Sequence, residues 1–374
     1  MNILLVGNYG PDSQHSMQRF ALMLENGLKA RGHEAHLLQP SRIIGPANAG
    51  GGMGKWAGYV DKFLIFPRTL RVAATQVDVV HICDHSNAVY VPVVADKPHV
   101  VTCHDLLAVR GALGEPTDCP ASCTGKLLQR RILASLRRAR HVACVSSATR
   151  ADLLRLAGPE AAQRSSVILL GVAGTLGRTA DGEADRLLAT LPRNPARPFL
   201  LNVGSNLRRK NREGALRIFK RVAEQFDCDL IFAGEPLSEE LKRVKQEIGL
   251  NGRVIEVPCP SDAMLEALYN RAFALLYPTR YEGFGWPAIE AQTCGCPVIS
   301  SQSTSIPEVV GNSGLLRAPD DEPGFVTDVL SLTSAPVREQ LIARGLENVK
   351  RFTPERMVNE YIELYQKICD RSSN

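Results

Sequence analysis

A chain of 374 residues exceeds the roughly 250–300 residues at which one hydrophobic core stops growing, so two domains are expected. Its composition, 44% hydrophobic and 22% charged, is that of an ordinary globular protein and excludes a disordered or collagen-like chain. The net charge of +5 comes from an excess of Lys and Arg in the first half, but few aromatics interleave with them, which excludes nucleic acid as the expected partner.

Residues 1–9 have no basic n-region, and their apolar run is too short for a signal peptide or a spanning helix, so a cytoplasmic protein is expected. Residues 2–8 read as a buried parallel strand. Residues 16–31 show helical spacing at Phe20, Leu24 and Leu28, and 34–39 are strand-like. Residues 45–54 form a glycine-rich loop long enough to act as a lid, before a mixed helical stretch over 56–74. Apolar runs at 77–83, 99–105, 141–147 and 167–172, separated by helix-length segments, predict a parallel sheet with crossovers. Residues 126–140 place Leu128, Ile132, Leu136 and Ala139 on one helical face and basic residues on the others. This is either a solvated helix or a surface that meets anionic lipid, with peripheral contact at the inner membrane face, or a phosphorylated acceptor. Residues 173–197, rich in Gly, Asp, Pro and Arg, read as a linker.

The second half repeats the rhythm, with strands expected at 199–205, 229–234, 253–257, 273–278, 298–300 and 315–317. Residues 354–370 then form an amphipathic helix capped by Thr353 and started by Pro354. Ten cysteines without paired spacing read as reduced thiols. Cys119 and Cys123 are expected to be loop thiols, since no second Cys or His pair with zinc spacing follows them.

In open parallel sheets ligands bind beyond the carboxyl ends of strands, so the chemistry is expected in the loops there. After the strand ending at Val203 come Gly204, Ser205, Asn206 and Leu207, then Arg208, Arg209 and Lys210 at a helix start. Three cations there oppose the helix dipole unless an anion such as a phosphate joins them. After residue 278 come Glu282, Gly283, Phe284, Gly285 and a helix at Pro287, with Glu290 eight residues beyond Glu282. Glycines let backbone amides approach a ligand, while carboxylates accept hydrogen bonds from vicinal hydroxyls. A ligand with both phosphates and diols, a nucleotide sugar, fits this mixture; a glycosidase acid and base pair needs no phosphate site. A third loop, 301–306, adds Ser and Thr hydroxyls. In the first half, His104 and Asp105 end a strand, and the loop 8–15 holds a single Gly10. No G-x-G-x-x-G is present to argue for a dehydrogenase. Asp227 and Asp229 mimic a metal-holding D-x-D, but they precede a strand and so lie at the wrong sheet edge.

Together these residues resemble the retaining glycosyltransferases of family 4. The match is strongest in V-G followed by R-K-N (203–211), E-G-F-G-x-P-x-x-E-A (282–291), C-G-x-P-V-I-x-S (294–301) and P-E-V-x-G-x-x-G-L (307–315). It is looser in R-G-H-E (31–34), V-D-V-V-H (77–81), T-C-H-D (102–105) and V-S-S (145–147). The resemblance implies an α/β GT-B fold: two Rossmann-like doubly wound parallel-sheet domains facing across a cleft, with the C-terminal helix returning to the first. The boundaries are then 1–172 for an acceptor-binding domain, 173–197 for a linker, 198–352 for a nucleotide-sugar domain and 353–374 for the returning helix.

It also implies transfer of one sugar from a nucleoside-diphosphate sugar, GDP-mannose or a UDP-hexose, to a hydroxyl of a glycan or lipid-linked acceptor. Retention and independence of any metal or other cofactor are expected. Glu282 is then expected at the donor sugar and Glu290 at the ribose. Arg209 and Lys210 would hold the diphosphate, with Arg208 or Arg209 taking the role of a basic residue replaced here by Ser205. Gly204, Gly283, Phe284 and Gly285 would line the donor, and His104 would meet the sugar. The paired glycines common after the first strand are reduced to Gly10, and Trp286 replaces the commoner Leu. The rival expectations are a nucleotide-sugar epimerase of the same fold and a non-catalytic nucleotide-sugar-binding protein.

Overall fold

The computed structural model describes residues 1–12, 14–44, 58–172, 176–179, 182–250 and 252–373. The predicted glycine-rich loop at 45–54, and the start of the helical stretch at 56–57, lie outside the described residues. The chain divides into two compact units, Met1–Gly171 with Pro354–Asn374, and Val172–Thr353.

The first unit is built on six parallel strands: β1 (Asn2–Val6), β2 (Glu34–Leu38), β3 (Val79–Ile82), β4 (His99–Cys103), β5 (His141–Cys144) and β6 (Ser165–Val167). Their order is β2-β1-β3-β4-β5-β6. The strands β3, β4 and β5 are buried at every position, which is why they read as unbroken apolar runs rather than alternating ones. The core on one side gathers Val80, Ile82, Val101, Phe66, Tyr90 and Ile132. The last strand lies earlier than the run 167–172 suggested. Ile168, Leu170 and Val172 are apolar because they are buried, not because they pair in the sheet.

The closing helix, Pro354–Ser373, belongs to this unit. Its Tyr365 hydroxyl lies 2.6 Å from His81 Nδ1, and the His81 Nε2 lies 2.7 Å from Thr102 Oγ1. That hydroxyl in turn lies 2.7 Å from the Tyr361 hydroxyl. Burial, and then the neighbouring His104, push the His81 imidazole down to about 3, so it serves as a neutral hydrogen-bonding group.

The second unit repeats the plan with β7 (Phe199–Gly204), β8 (Asp229–Gly234), β9 (Val254–Pro258), β10 (Ala274–Tyr277), β11 (Val298–Ser301) and β12 (Leu315–Arg317). The order β12-β11-β10-β7-β8-β9 is all parallel and reverses direction between β7 and β10. The described residues of the stretch 173–197, read from its composition as a linker, are part of this unit. Its helix Glu183–Leu188 is tied to the helix Asp262–Arg271 by the Asp185–Arg271 ion pair at 2.7 Å. The Gly177 amide also donates to Glu266, and the Thr179 amide to Asn270. Polar staples replace the apolar periodicity by which a packed segment is normally recognised.

Candidate active site

A crevice opens where a doubly wound sheet reverses its strand order, so the loops after β7 and β10 are where a ligand is expected in the second unit. Gly234, at the end of β8, has φ +115°, and a Cβ there would sit 2.4 Å from the Gly204 carbonyl oxygen. Only glycine lets the two strand ends come this close.

The three cations do not open a helix, as their sequence position had suggested. Arg208–Lys210 form a 3-10 turn, and the α-helix Arg212–Ala223 begins after Asn211, which is left-handed at φ 51°. Asn211 donates to the Pro278 carbonyl at 2.9 Å, drawing the loop after β7 onto the loop after β10. Arg212, which carried no expectation in the sequence, is buried with no carboxylate bonded to it among the described residues. It donates to the Gly204, Glu235 and Ala233 carbonyls and to the Asn206 side chain. Its position immediately after R-K-N was the available signal.

These contacts bring the predicted carboxylate and cations together. Glu282 is 5% exposed and accepts four hydrogen bonds. Its Oε1 takes Lys210 Nζ at 2.8 Å, the Tyr277 hydroxyl at 2.6 Å and the Thr279 hydroxyl at 2.8 Å, and its Oε2 takes an Arg209 guanidinium nitrogen at 3.1 Å. Burial opposes its charge, but Lys210 and Arg209 overcome that and hold the carboxyl down at about 2. Burial lowers Lys210 from its ordinary value, with Glu282 opposing and Arg209 reinforcing the shift. The result is a largely buried cluster of two cations and one carboxylate. Tyr277 also accepts from Lys210 Nζ at 2.7 Å, so this unpredicted tyrosine orients both members of the pair.

Gly283, Phe284 and Gly285 are buried in the same loop. Gly285 has φ +105°, and a Cβ there would lie 2.6 Å from Ile306 Cδ1, so glycine is required. The hydroxyls of the third loop hold this one in shape: Ser305 donates to the Glu282 and Phe284 carbonyls, and the Glu282 amide donates to Thr304. Glu290 lies buried on the helix Trp286–Thr293 and accepts from the Tyr269 hydroxyl at 3.0 Å. Arg208 is exposed. Asp227 and Asp229, at the amino end of β8, pair with Arg197 and Arg253, which accounts for the D-x-D spacing structurally.

In the first unit His104 follows β4 and is buried, its Nε2 donating to the Cys83 carbonyl at 2.9 Å. Its ring meets Phe20 edge to face at 5.1 Å. Burial lowers its imidazole below the ordinary range although Asp84 opposes this, so the ring is neutral with Nδ1 as an acceptor. Gly10 lies in an exposed 3-10 turn, and a Cβ there would meet nothing within 4 Å, so no close approach demands glycine.

Residues 17–173 match the family described as Glycosyltransferase Family 4, and residues 184–347 the one described as Glycosyl transferases group 1. The chain belongs to the family 4 glycosyltransferases. Among the similar proteins, the O-antigen chain mannosyltransferase B of Escherichia coli is 32% identical over 209 residues, 49% of this chain and 55% of its own length. This family 4 chain therefore spans about half of that relative. Its fold is that of the sucrose-phosphate synthase from Thermosynechococcus elongatus, with a TM-score of 0.79 at 20% identity over 98% of this chain and 99% of that one. It is also that of Anabaena HepE, solved in complex with UDP and glucose, with a TM-score of 0.77 at 16% identity over 98% and 100%. The two doubly wound units and these neighbours establish the α/β GT-B fold. Among the described residues of this family 4 protein, no helix is long and apolar enough to cross a membrane.

Proposed function

We propose that this protein transfers one sugar, with retention, from a nucleoside-diphosphate sugar to a hydroxyl of a glycan or lipid-linked acceptor, without a metal. The observation that carries the reading is the Lys210–Glu282–Arg209 cluster at the switch point of the second sheet. The bond between the anomeric carbon and the diphosphate oxygen breaks, a bond to the acceptor oxygen forms, and the acceptor's proton leaves with the diphosphate. Charge develops on the departing diphosphate, and Arg209 and Lys210, already held in place by Glu282, stabilise it. Glu282 offsets one of those two charges before the donor arrives and accepts from sugar hydroxyls once phosphate shares the cations. Glu290, oriented by Tyr269, receives the ribose hydroxyls, and the backbone of Gly204 and of 283–285 lines the donor. His104 meets the sugar as a neutral group, while Arg208 and Gly10 contribute least.

The relative named as a mannosyltransferase and the neighbour solved with UDP support GDP-mannose or a UDP-hexose as donor. Peripheral contact at the inner face of the membrane is proposed for the helix Cys123–Arg138, which exposes Leu127 among Lys126, Arg130 and Arg131. The test is incubation with GDP-, UDP- and ADP-sugars and methyl α-D-mannopyranoside, with and without EDTA. Release of nucleoside diphosphate with a new α-linked product, unchanged by EDTA, is expected. An isomerised nucleotide sugar would make it an epimerase, and donor binding without turnover a binding protein.

A further inference from the structure

The first sheet has its own switch point, between β1 and β3, where the strand order reverses. The residues following these strands are Asn8 and Asp84, and they are in contact. Asn8, 3% exposed, donates through Nδ2 to Asp84 Oδ2 at 2.6 Å and to Gln14 Oε1. Because a carboxylate oxygen can only accept, the amide cannot be turned over, and both Nδ2 hydrogens are committed. Asn8 Oδ1 therefore faces away, buried, with no hydrogen-bond partner among the described residues.

Asp84 is also bound by the Ser86 amide at 3.1 Å and the Ser86 hydroxyl at 2.6 Å, and His85 Nδ1 lies 3.1 Å from its Oδ1. Capping of the 3-10 turn His85–Val93 explains the Ser86 contacts. It does not explain why a buried amide is held with its acceptor empty, since buried polar groups are as a rule satisfied. The missing group must donate a hydrogen, and the adjacent carboxylate disfavours an ionised phosphate. That fits a neutral, hydroxyl-bearing molecule best.

We propose that Asn8, Asp84 and His85 form a hydroxyl-binding site for the acceptor sugar, with Asn8 Oδ1 taking one hydroxyl proton and Asp84 fixing the amide that does so. The word acceptor rests on the transferase reading; the hydroxyl site itself does not. Full-length protein labelled with 15N in asparagine is titrated with methyl α-D-mannopyranoside and, separately, inorganic phosphate. The Asn8 side-chain amide is assigned by its loss in Asn8→Leu. A saturable shift of that amide with the glycoside and none with phosphate is expected. Glycoside affinity should fall at least ten-fold in Asn8→Leu and in His85→Gln, while the thermal shift produced by nucleoside diphosphate persists. No saturable shift in the wild type, a shift with phosphate instead, or unchanged affinity in folded His85→Gln overturns the site. Sugar transfer by a wild type whose Asn8 amide does not respond would sink this site and leave the transferase reading standing. A responding amide in a protein that releases no diphosphate from any donor would do the reverse.

Discussion

Lys210 and Glu282 define what a single substitution can reveal. If Lys210 stabilises a departing diphosphate as proposed, Lys210→Ala should slow transfer by about 10² to 10³. It also leaves a buried carboxylate with fewer partners, and breaking such a pair costs on the order of 3–5 kcal/mol. Loss of rate and loss of stability are thus confounded in that variant. The double variant Lys210→Ala with Glu282→Gln separates them. Its urea midpoint should recover toward the wild type while its rate stays low; recovery of both, or of neither, would refute the assignment.

The same carboxyl sets a pH dependence. Glu282 is held at about 2 against an ordinary 4.5, so its contribution to stability is fully present above about 4.5 and is lost as pH falls toward 2. Urea unfolding followed from pH 6 to pH 3 should therefore weaken more steeply in the wild type than in Glu282→Gln.

Among the elements, the strands were the most legible in the sequence, because a parallel sheet buried on both faces writes an uninterrupted apolar run. Where burial and pairing part company, as at Ile168–Val172, the same signal misplaced a strand. That Glu282 and the R-K-N segment both lie beyond strand ends was legible; their ion pair was not. The partners that orient it, Tyr277 and Thr279, were not, since a tyrosine closing a strand reads as core. Asn211 and Arg212 were hidden for a related reason: their work is to bind main-chain carbonyls, which leave no mark in residue spacing. The closing helix gives a test at this scale. Tyr365→Phe leaves His81 Nδ1 without its hydroxyl partner deep in the first core, and should cost about 1–3 kcal/mol. Since the imidazole is held at about 3, below its ordinary 6.5, the unfolded chain binds the proton first. His81 therefore draws stability down as pH falls from 6.5 toward 3, a slope that His81→Gln should flatten in pH-dependent melting.

For the molecule as a whole, the return of the chain at Pro354 makes the first unit depend on residues that follow the second. Ending the chain after Thr353 removes buried Met357, Val358, Tyr361, Tyr365 and Ile368 from the first core. Calorimetry of that truncated chain should lose the first unit's transition and keep one that nucleoside diphosphate shifts upward; loss of both would show that the second unit does not stand alone. The Val172 amide donates to the Phe352 carbonyl at 2.9 Å, so the chain enters and leaves the second unit at neighbouring points. The second unit is thus an insertion whose two ends already meet, and the first unit is the interrupted host. A gene for residues 172–353 can be lifted out as one cassette, and the chain can be permuted to start inside it, without cutting any strand of either sheet.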